Sequence, residues 1–202
     1  MSLAFKNRLI VAVAVISSGF VGIASMGCHS APESSPGDTI EPEVSQVSVE
    51  RGEYLVQITG CHDCHTPFVV GPNGPEPDMT RMLSGHPQDL VMPPPPQLPE
   101  GPWVWLGAGT NTAFSGPWGI SYAINLTPHQ NTGIGIWTEE MFVDSIRKGR
   151  HMGHARPVLP PMPWPAYRHM TDEDLESIFA YLKSIPEIEN RIPEAIVAGT
   201  DE

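Results

Sequence analysis

Two cysteines and a histidine stand within five consecutive residues, Cys61-His62-Asp63-Cys64-His65. This Cys-x-x-Cys-His spacing is the attachment pattern of a c-type haem. Each thiol can add to one vinyl group of the haem, and the histidine then lies under the iron. A Cys-x-x-Cys pair also occurs in thioredoxin-like sites, which need a βαβ setting, and in zinc sites, which need two further ligands. The sequence shows neither pattern, since the third cysteine is the isolated Cys28. We therefore predict one haem c, with thioethers to Cys61 and Cys64 and with His65 bound to the iron.

The opposite face of the iron needs a second ligand, and Met162 is the favoured candidate. It lies in the stretch Leu159-Pro160-Pro161-Met162-Pro163-Trp164, which is too rich in proline for a helix. The ordinary role of methionine is to fill a core, but a methionine between prolines is poorly placed to do so in a helical core. The rival ligands are His151, His154 and Met152, which follow a predicted helix end and are expected to be surface or loop residues.

Three helices with clear boundary signals are predicted to position these residues. Apolar residues recur at helical spacing over residues 49–59, directly before the cysteine motif. Thr138 is a typical N-cap for a second helix that runs to about Gly149. Thr171 caps a third helix, which has acidic residues in its first turn and ends at Pro186.

Between residues 66 and 137 the chain is rich in proline and glycine, which excludes a long helix there. A β-hairpin is predicted within this segment, with arms at residues 103–106 and 112–115 and turn-forming residues at 107–111. A loop of this length suits a compact domain if it wraps around a large apolar cofactor, which supplies the core that the loop lacks. The predicted fold is therefore mainly α, with a long Pro/Gly-rich insertion in which a small β-hairpin is possible.

The N-terminal segment has the layout of an export signal. Lys6 and Arg8 precede an apolar run from Leu9 to Gly27, and the run stops at Cys28. A tether rich in serine, proline and acidic residues follows. This arrangement resembles a bacterial lipoprotein processing site and predicts lipid attachment at Cys28. The alternatives are an uncleaved membrane anchor or ordinary cleavage nearby, and all three place the folded part outside the cytoplasm, on the periplasmic side.

Length and charge favour a single domain with protein partners. The chain has 202 residues and a formal net charge of −12, which repels nucleic acid and anionic lipid heads and suits a partner with a basic docking patch. We predict an export signal at residues 1–27, a flexible acidic tether at 28–47, a folded domain at 48–186 and a C-terminal tail at 187–202.

Three motifs together resemble a class I cytochrome c domain: the Cys61–His65 motif after a helix, Pro160-Pro161-Met162-Pro163 late in the chain, and Thr171-Asp172-Glu173-Asp174-Leu175 opening a terminal helix. Further segments are similar to bacterial mono-haem c-type cytochromes and to haem subunits of alcohol and aldehyde dehydrogenases: Asn125-Leu126-Thr127-Pro128, Thr132-Gly133-Ile134-Gly135 and Trp137-Thr138. The resemblance covers about residues 49–186. It implies a cytochrome c domain whose first and last helices cross near Gly52 and Tyr181.

The resemblance also implies an electron carrier with His65 and Met162 as axial ligands of a single haem. Its expected partners are membrane-bound respiratory or dehydrogenase complexes, and no nucleic acid. Two alternatives stay open: a peroxidase-like enzyme in which His151 or His154 acts as acid and base, and a redox or gas sensor with a displaceable sixth ligand. The long insertion leaves open which carbonyl accepts a hydrogen bond from the His65 ring.

Overall fold

The computed structural model describes residues 46–199, so the predicted export signal, Cys28 and nearly all of the predicted tether lie outside the described residues. The described chain contains the α-helices α1 (Val49–Ile58), α2 (Cys61–His65), α3 (Glu139–Lys148), α4 (Trp164–Tyr167) and α5 (Asp172–Ser184). Its strands are β1 (Phe68–Gly71), β2 (Gly74–Pro77), β3 (Leu106–Gly107), β4 (Ala113–Gly116), β5 (Gly119–Tyr122) and β6 (Ile196–Val197). Two short 3-10 helices span Met79–Arg81 and His151–Gly153. Within residues 46–199, no helix has the length and apolar character needed to cross a membrane.

The three longer helices begin at side-chain caps. In each case a hydroxyl oxygen accepts a hydrogen bond from the backbone N–H three residues on: Ser48 from Arg51 at 3.1 Å, Thr138 from Met141 at 3.2 Å and Thr171 from Asp174 at 3.1 Å. The predicted caps at Thr138 and Thr171 are therefore confirmed. Gly149 follows α3 in the left-handed conformation, with a φ of 63°, which explains why a glycine ends that helix.

Helices α1 and α5 cross at Gly52, as the resemblance implied. A Cβ atom on Gly52 would lie 1.9 Å from the Ser177 carbonyl oxygen and 2.8 Å from the Tyr181 Cβ. The two helix backbones can therefore approach this closely only because residue 52 has no side chain. The backbone N–H of Ser48 also donates to the Ser177 hydroxyl at 3.2 Å, which ties the start of α1 to α5.

The apolar core lies between α1, α3 and α5 and extends into the insertion. The rings of Phe142 on α3 and Phe179 on α5 are 5.5 Å apart, centroid to centroid. Val56 on α1 is fully buried. Leu83 and Ile134, both from the long segment between α2 and α3, belong to the same buried cluster. The insertion therefore supplies part of the core.

The insertion supplies all but one of the strands of two small antiparallel sheets, the exception being β6. Strands β1 and β2 form one, and the other has the order β3-β4-β5-β6. In the predicted hairpin, Leu106 lies opposite Ser115, but residues 103–105 are outside the strands. The hairpin with the shorter turn is the one that joins β4 to β5. The architecture is thus a mixed one that fits a cytochrome c-like fold, rather than mainly α. Strands of two to four residues are too short for alternation to reveal them in the sequence.

The residues after Pro186 pack against the insertion. Asn190 is buried; its side-chain NH2 donates to the backbone carbonyls of Ser84 at 2.6 Å and His86 at 2.8 Å, and its oxygen accepts from the Gln88 N–H at 2.9 Å. Strand β6 then pairs with β5. Up to residue 199, the segment predicted as a C-terminal tail therefore packs on the rest of the described chain.

Gly52→Val tests the crossing of α1 and α5. We expect the free energy of unfolding to fall by about 3 kcal/mol or more, because the branched side chain would overlap a backbone carbonyl rather than a flexible side chain. Denaturant titration followed by far-UV circular dichroism measures it. Gly101→Val is the matched control, since the nearest atom to a Cβ at that position is 4.0 Å away. Equal stability of Gly52→Val and the native protein would contradict the crossing.

Asn190→Ala tests the role of the C-terminal segment. Removing the amide leaves the Ser84 and His86 carbonyls and the Gln88 N–H without their partner, so we expect a loss of about 2 to 3 kcal/mol in the free energy of unfolding. The exposed Asn73 provides the control, because Asn73→Ala should change stability by less than about 0.5 kcal/mol. A loss in Asn190→Ala as small as in the control would mean that the segment packs loosely.

Candidate functional site

The cysteine motif and the methionine loop face the same cavity. Cys61, Cys64, His65 and Met162 all line it, although the methionine is far from the cysteines along the chain. Most of the other lining residues are apolar, among them Ile124, Leu126, Trp137, Phe142, Ile146, Ile178 and Leu182. The structure therefore brings together four of the predicted site residues on the wall of one apolar cavity.

The rival ligands are distributed differently. His151 lines the cavity, whereas His154 and Met152 do not. His154 is exposed and Met152 packs against the core. A further methionine, Met170, lies on the cavity wall. No sequence signal marks Met170 as a ligand, because it directly precedes the Thr171 cap and has no flanking prolines.

Helix α2 carries both cysteines and the histidine on little more than one turn. Gly60, with a φ of 71°, joins α1 to α2, a conformation that favours glycine. Burial raises the pKa of the Cys61 thiol, and it also raises that of Cys64, where the Asp63 carboxylate acts in the same direction. Both side chains are therefore neutral thiols at neutral pH.

The His65 ring is oriented by a hydrogen bond to the end of the insertion. Its Nδ1 lies 2.8 Å from the Ile124 carbonyl oxygen. A carbonyl can only accept, so Nδ1 carries the proton and Nε2 keeps its lone pair. Burial lowers the pKa of this histidine, which favours the neutral ring. A neutral imidazole with a free Nε2 and a bonded Nδ1–H is the form in which histidine binds a metal.

The Ile124 carbonyl is itself held in place by the backbone on both sides of it. The His86 N–H donates to the Ala123 carbonyl at 3.0 Å, and the Leu126 N–H donates to the Leu83 carbonyl at 2.9 Å. The sequence leaves the acceptor of the His65 bond open, because no side-chain type marks a backbone carbonyl.

The methionine loop is attached to the rest of the domain at both ends. The Ser121 hydroxyl on β5 donates to the Pro160 carbonyl at 2.6 Å, just before a cis Pro160-Pro161 peptide bond. After Met162, the Tyr167 hydroxyl on α4 donates to the Thr59 carbonyl at the end of α1. Burial is the main reason that the pKa of Tyr167 is raised to about 12, so its hydroxyl remains a donor at neutral pH.

Two buried polar side chains beside the motif were not found by sequence analysis. His62 Nδ1 lies 2.9 Å from the Thr66 hydroxyl, which accepts a hydrogen bond from the Leu83 N–H at 2.9 Å. Among residues 46–199, the buried Nε2 of His62 has no hydrogen-bond partner. The only available signal was the histidine at the first variable position of the motif. These contacts tie α2 to the insertion.

The arrangement fits a covalently attached haem c. It offers two thiols on one turn, a neutral imidazole with a free Nε2, and an apolar wall that carries a thioether. In residues 46–199, no three His, Cys, Asp or Glu side chains form a group that could hold a metal ion, and a structural zinc site would require such a group. Two thiols followed directly by a histidine, on the wall of an apolar cavity, are the donor set of a haem c.

Comparison with known proteins gives the same assignment. No protein-family model matches the chain. It is similar to the fructose dehydrogenase cytochrome subunit of Gluconobacter japonicus, with 29% identity over 147 residues, which is 73% of this chain and 23% of the relative. It is 27% identical over 139 residues to the alcohol dehydrogenase (quinone) cytochrome c subunit of Gluconobacter oxydans (strain 621H), 69% of this chain and 22% of the relative.

The gluconate 2-dehydrogenase cytochrome c subunit of Pantoea cypripedii is a third relative, 26% identical over 141 residues, 70% of this chain and 24% of the relative. The chain thus spans about a quarter of the length of these three relatives. The homologues of this chain are therefore cytochrome c subunits of quinone and sugar dehydrogenases.

Proposed function

We propose that this chain transfers single electrons through one haem c attached at Cys61 and Cys64. The observation that carries the proposal is the shared cavity, which places the two thiols, the His65 ring and the Met162 thioether around one apolar space. The homologues support it, since they are cytochrome c subunits. When bound, the haem supplies a reversible change between ferrous and ferric iron.

The side chains have separate roles in this proposal. Cys61 and Cys64 hold the cofactor covalently. His65 would hold the iron through Nε2, and the Ile124 carbonyl fixes the orientation of its ring. Met162 would supply the second protein ligand, and a thioether favours the reduced state and so would raise the potential. The apolar wall excludes water, which acts in the same direction.

A haem enzyme or sensor with a displaceable sixth ligand is the second candidate, and one observation favours it. His151 lies on the cavity wall and packs edge-on against Trp137, with ring centroids 4.9 Å apart. Burial lowers the pKa of His151, so a neutral ring could accept a proton. The exposed His154 does not line the cavity, and this candidate therefore depends on His151 alone.

Met162→Ala tests the choice between these functions. We expect the haem to stay attached while the far-red charge-transfer band of the ferric Met–iron bond disappears and the reduction potential falls. Visible spectroscopy and a redox titration measure both. Met170→Ala is the matched control, because Met170 lines the same cavity, and it should keep the band. If the band survives in Met162→Ala but is lost in Met170→Ala, the ligand is Met170. A high-spin spectrum of the native protein would instead favour the enzyme or sensor.

We further propose that the domain works outside the cytoplasm and is held at the membrane by a lipid on Cys28. Residues 1–27 would be removed as an export signal, and residues 28–47 would act as the tether. Its redox partners would be membrane-bound dehydrogenase or respiratory complexes. The support is the layout of the N-terminal sequence together with the similarity to subunits of dehydrogenases.

Cys28→Ser tests this location. We expect the variant to move from the membrane fraction to the soluble extracytoplasmic fraction, because serine cannot receive the lipid of a bacterial lipoprotein. Haem content is the internal control and should not change, since Cys28 lies outside the attachment motif. If the variant sediments with the membrane as firmly as the native protein, the run from Leu9 to Gly27 is an uncleaved anchor instead.

A further inference from the structure

The cavity wall carries one side chain with a permanent positive charge. Among the described residues that line the cavity, Arg156 is the one Lys, Arg, Asp or Glu. The histidines on the wall, His65 and His151, both have pKa values lowered by burial. An apolar cavity in a chain with a formal net charge of −12 therefore has a cation on its wall.

Arg156 has no carboxylate partner among residues 46–199. Four other basic side chains in that range form ion pairs: Arg51 with Asp174, Arg81 with Asp78, Arg147 with Asp172, and Lys148 with Asp144. The Arg156 guanidinium has only a long contact, 3.5 Å, with the carbonyl of its neighbour Pro157. No nitrogen of Arg156 is both buried and unpartnered, so its N–H groups are open to solvent or to a ligand.

The backbone around Arg156 is fixed by hydrogen bonds across its loop, so the side chain starts from a defined place on the cavity wall. The His151 N–H donates to the Arg156 carbonyl at 2.9 Å, and the Val158 N–H donates to the Gly149 carbonyl at 2.9 Å. Arg150 and Pro157 form a bridge across the same loop. Both arginines thus belong to one closed loop, but Arg150 is exposed and does not line the cavity.

Glu194 is the acidic side chain that acts on this region. Burial is the main cause of the lowered pKa of His151; Arg156 lowers it further, whereas Glu194 opposes the shift. Glu194 forms no ion pair with Arg156 in the described chain, and it is Ala195 rather than Glu194 that lines the cavity. The guanidinium is therefore available to an anion inside the cavity.

We propose that Arg156 forms a carboxylate-binding site for a propionate group of the bound haem. This inference rests on the proposed function, since it requires a haem in the cavity. A haem carries its propionates as carboxylates on one edge, and a guanidinium is the side chain that best matches a carboxylate, through two parallel hydrogen bonds. The propionate edge of the cofactor, whose orientation the thioethers to Cys61 and Cys64 would fix, would thus face the loop 149–158.

The same contact would raise the reduction potential. Ferric haem has one more positive charge than ferrous haem, so a nearby guanidinium disfavours the oxidised state and also offsets the propionate charge that stabilises it. Removing a unit charge close to a buried redox group changes the ratio of ferrous to ferric haem at a fixed ambient potential by roughly three- to tenfold. We expect Arg156→Gln to shift that ratio toward ferric haem by this factor.

The experiment compares three variants of the haem-loaded full chain by redox titration. Arg156→Gln removes the charge from the cavity wall, Arg150→Gln removes an equal charge from the exposed side of the same loop, and Arg156→Lys keeps the charge without the guanidinium geometry. Arg150→Gln should shift the ferrous-to-ferric ratio by less than about twofold, because solvent and salt screen an exposed charge. Arg156→Lys should lie between the native protein and Arg156→Gln, because it keeps the charge but loses the paired hydrogen bonds of the guanidinium.

Haem staining and the far-red band, recorded on the same samples, separate this inference from the proposed function. A native protein without covalent haem would contradict the proposed function itself. With haem and band intact, equal shifts for Arg156→Gln and Arg150→Gln would overturn the propionate site. If Arg156→Gln cannot be matured, Arg156→Lys is compared with Arg150→Lys: a larger shift toward ferric haem in Arg156→Lys supports the guanidinium–carboxylate contact, and equal ratios in the two variants overturn it.

Discussion

The hydrogen bond between His65 Nδ1 and the Ile124 carbonyl is the interaction on which the rest of the site depends. It joins the last residue of the cysteine motif to the end of the long insertion at 2.8 Å. The ring is only 8% exposed, so no water can easily replace this acceptor, and its loss would leave a buried donor unpaired at a cost of about 1 to 3 kcal/mol. A ring held in this way directs its free Nε2 away from the bond.

The Ile124 carbonyl can hold the His65 ring only if its own backbone is fixed. In the insertion, buried polar side chains fix that backbone. Asn125 accepts from the Thr127 N–H at 2.9 Å and donates to the Ile188 carbonyl at 2.8 Å. From the C-terminal segment, the Asn190 side chain donates hydrogen bonds to the Ser84 and His86 carbonyls of the insertion. On the other side of the cavity, Ser121 and Tyr167 fix the methionine loop in the same manner, by bonds from side chain to backbone. Segments far apart in sequence thus form one cavity.

What the sequence predicted well had local or chemical signatures. The caps at Thr138 and Thr171, the crossing at Gly52 and the joint presence of Cys61, Cys64, His65 and Met162 around one cavity all follow from residue types at fixed spacings or from motif resemblance. What it did not predict depends on long-range backbone contacts. The carbonyl of Ile124, the packing of Asn190 and strands as short as Leu106–Gly107 have no side-chain pattern of their own. Arg156 also escaped notice, because an arginine in a loop is ordinary until its neighbours are known.

The protonation of the His65 ring in the ferrous, diamagnetic haem-loaded protein tests this account most directly. Nuclear magnetic resonance of protein labelled with nitrogen-15 at histidine reports which ring nitrogen carries a proton and how fast that proton exchanges with water. The account predicts a protonated Nδ1 that exchanges slowly and shows a nuclear Overhauser contact to the Ile124–Asn125 backbone, with no proton on Nε2. A proton on Nε2, or an Nδ1 proton that exchanges freely with water, would contradict it.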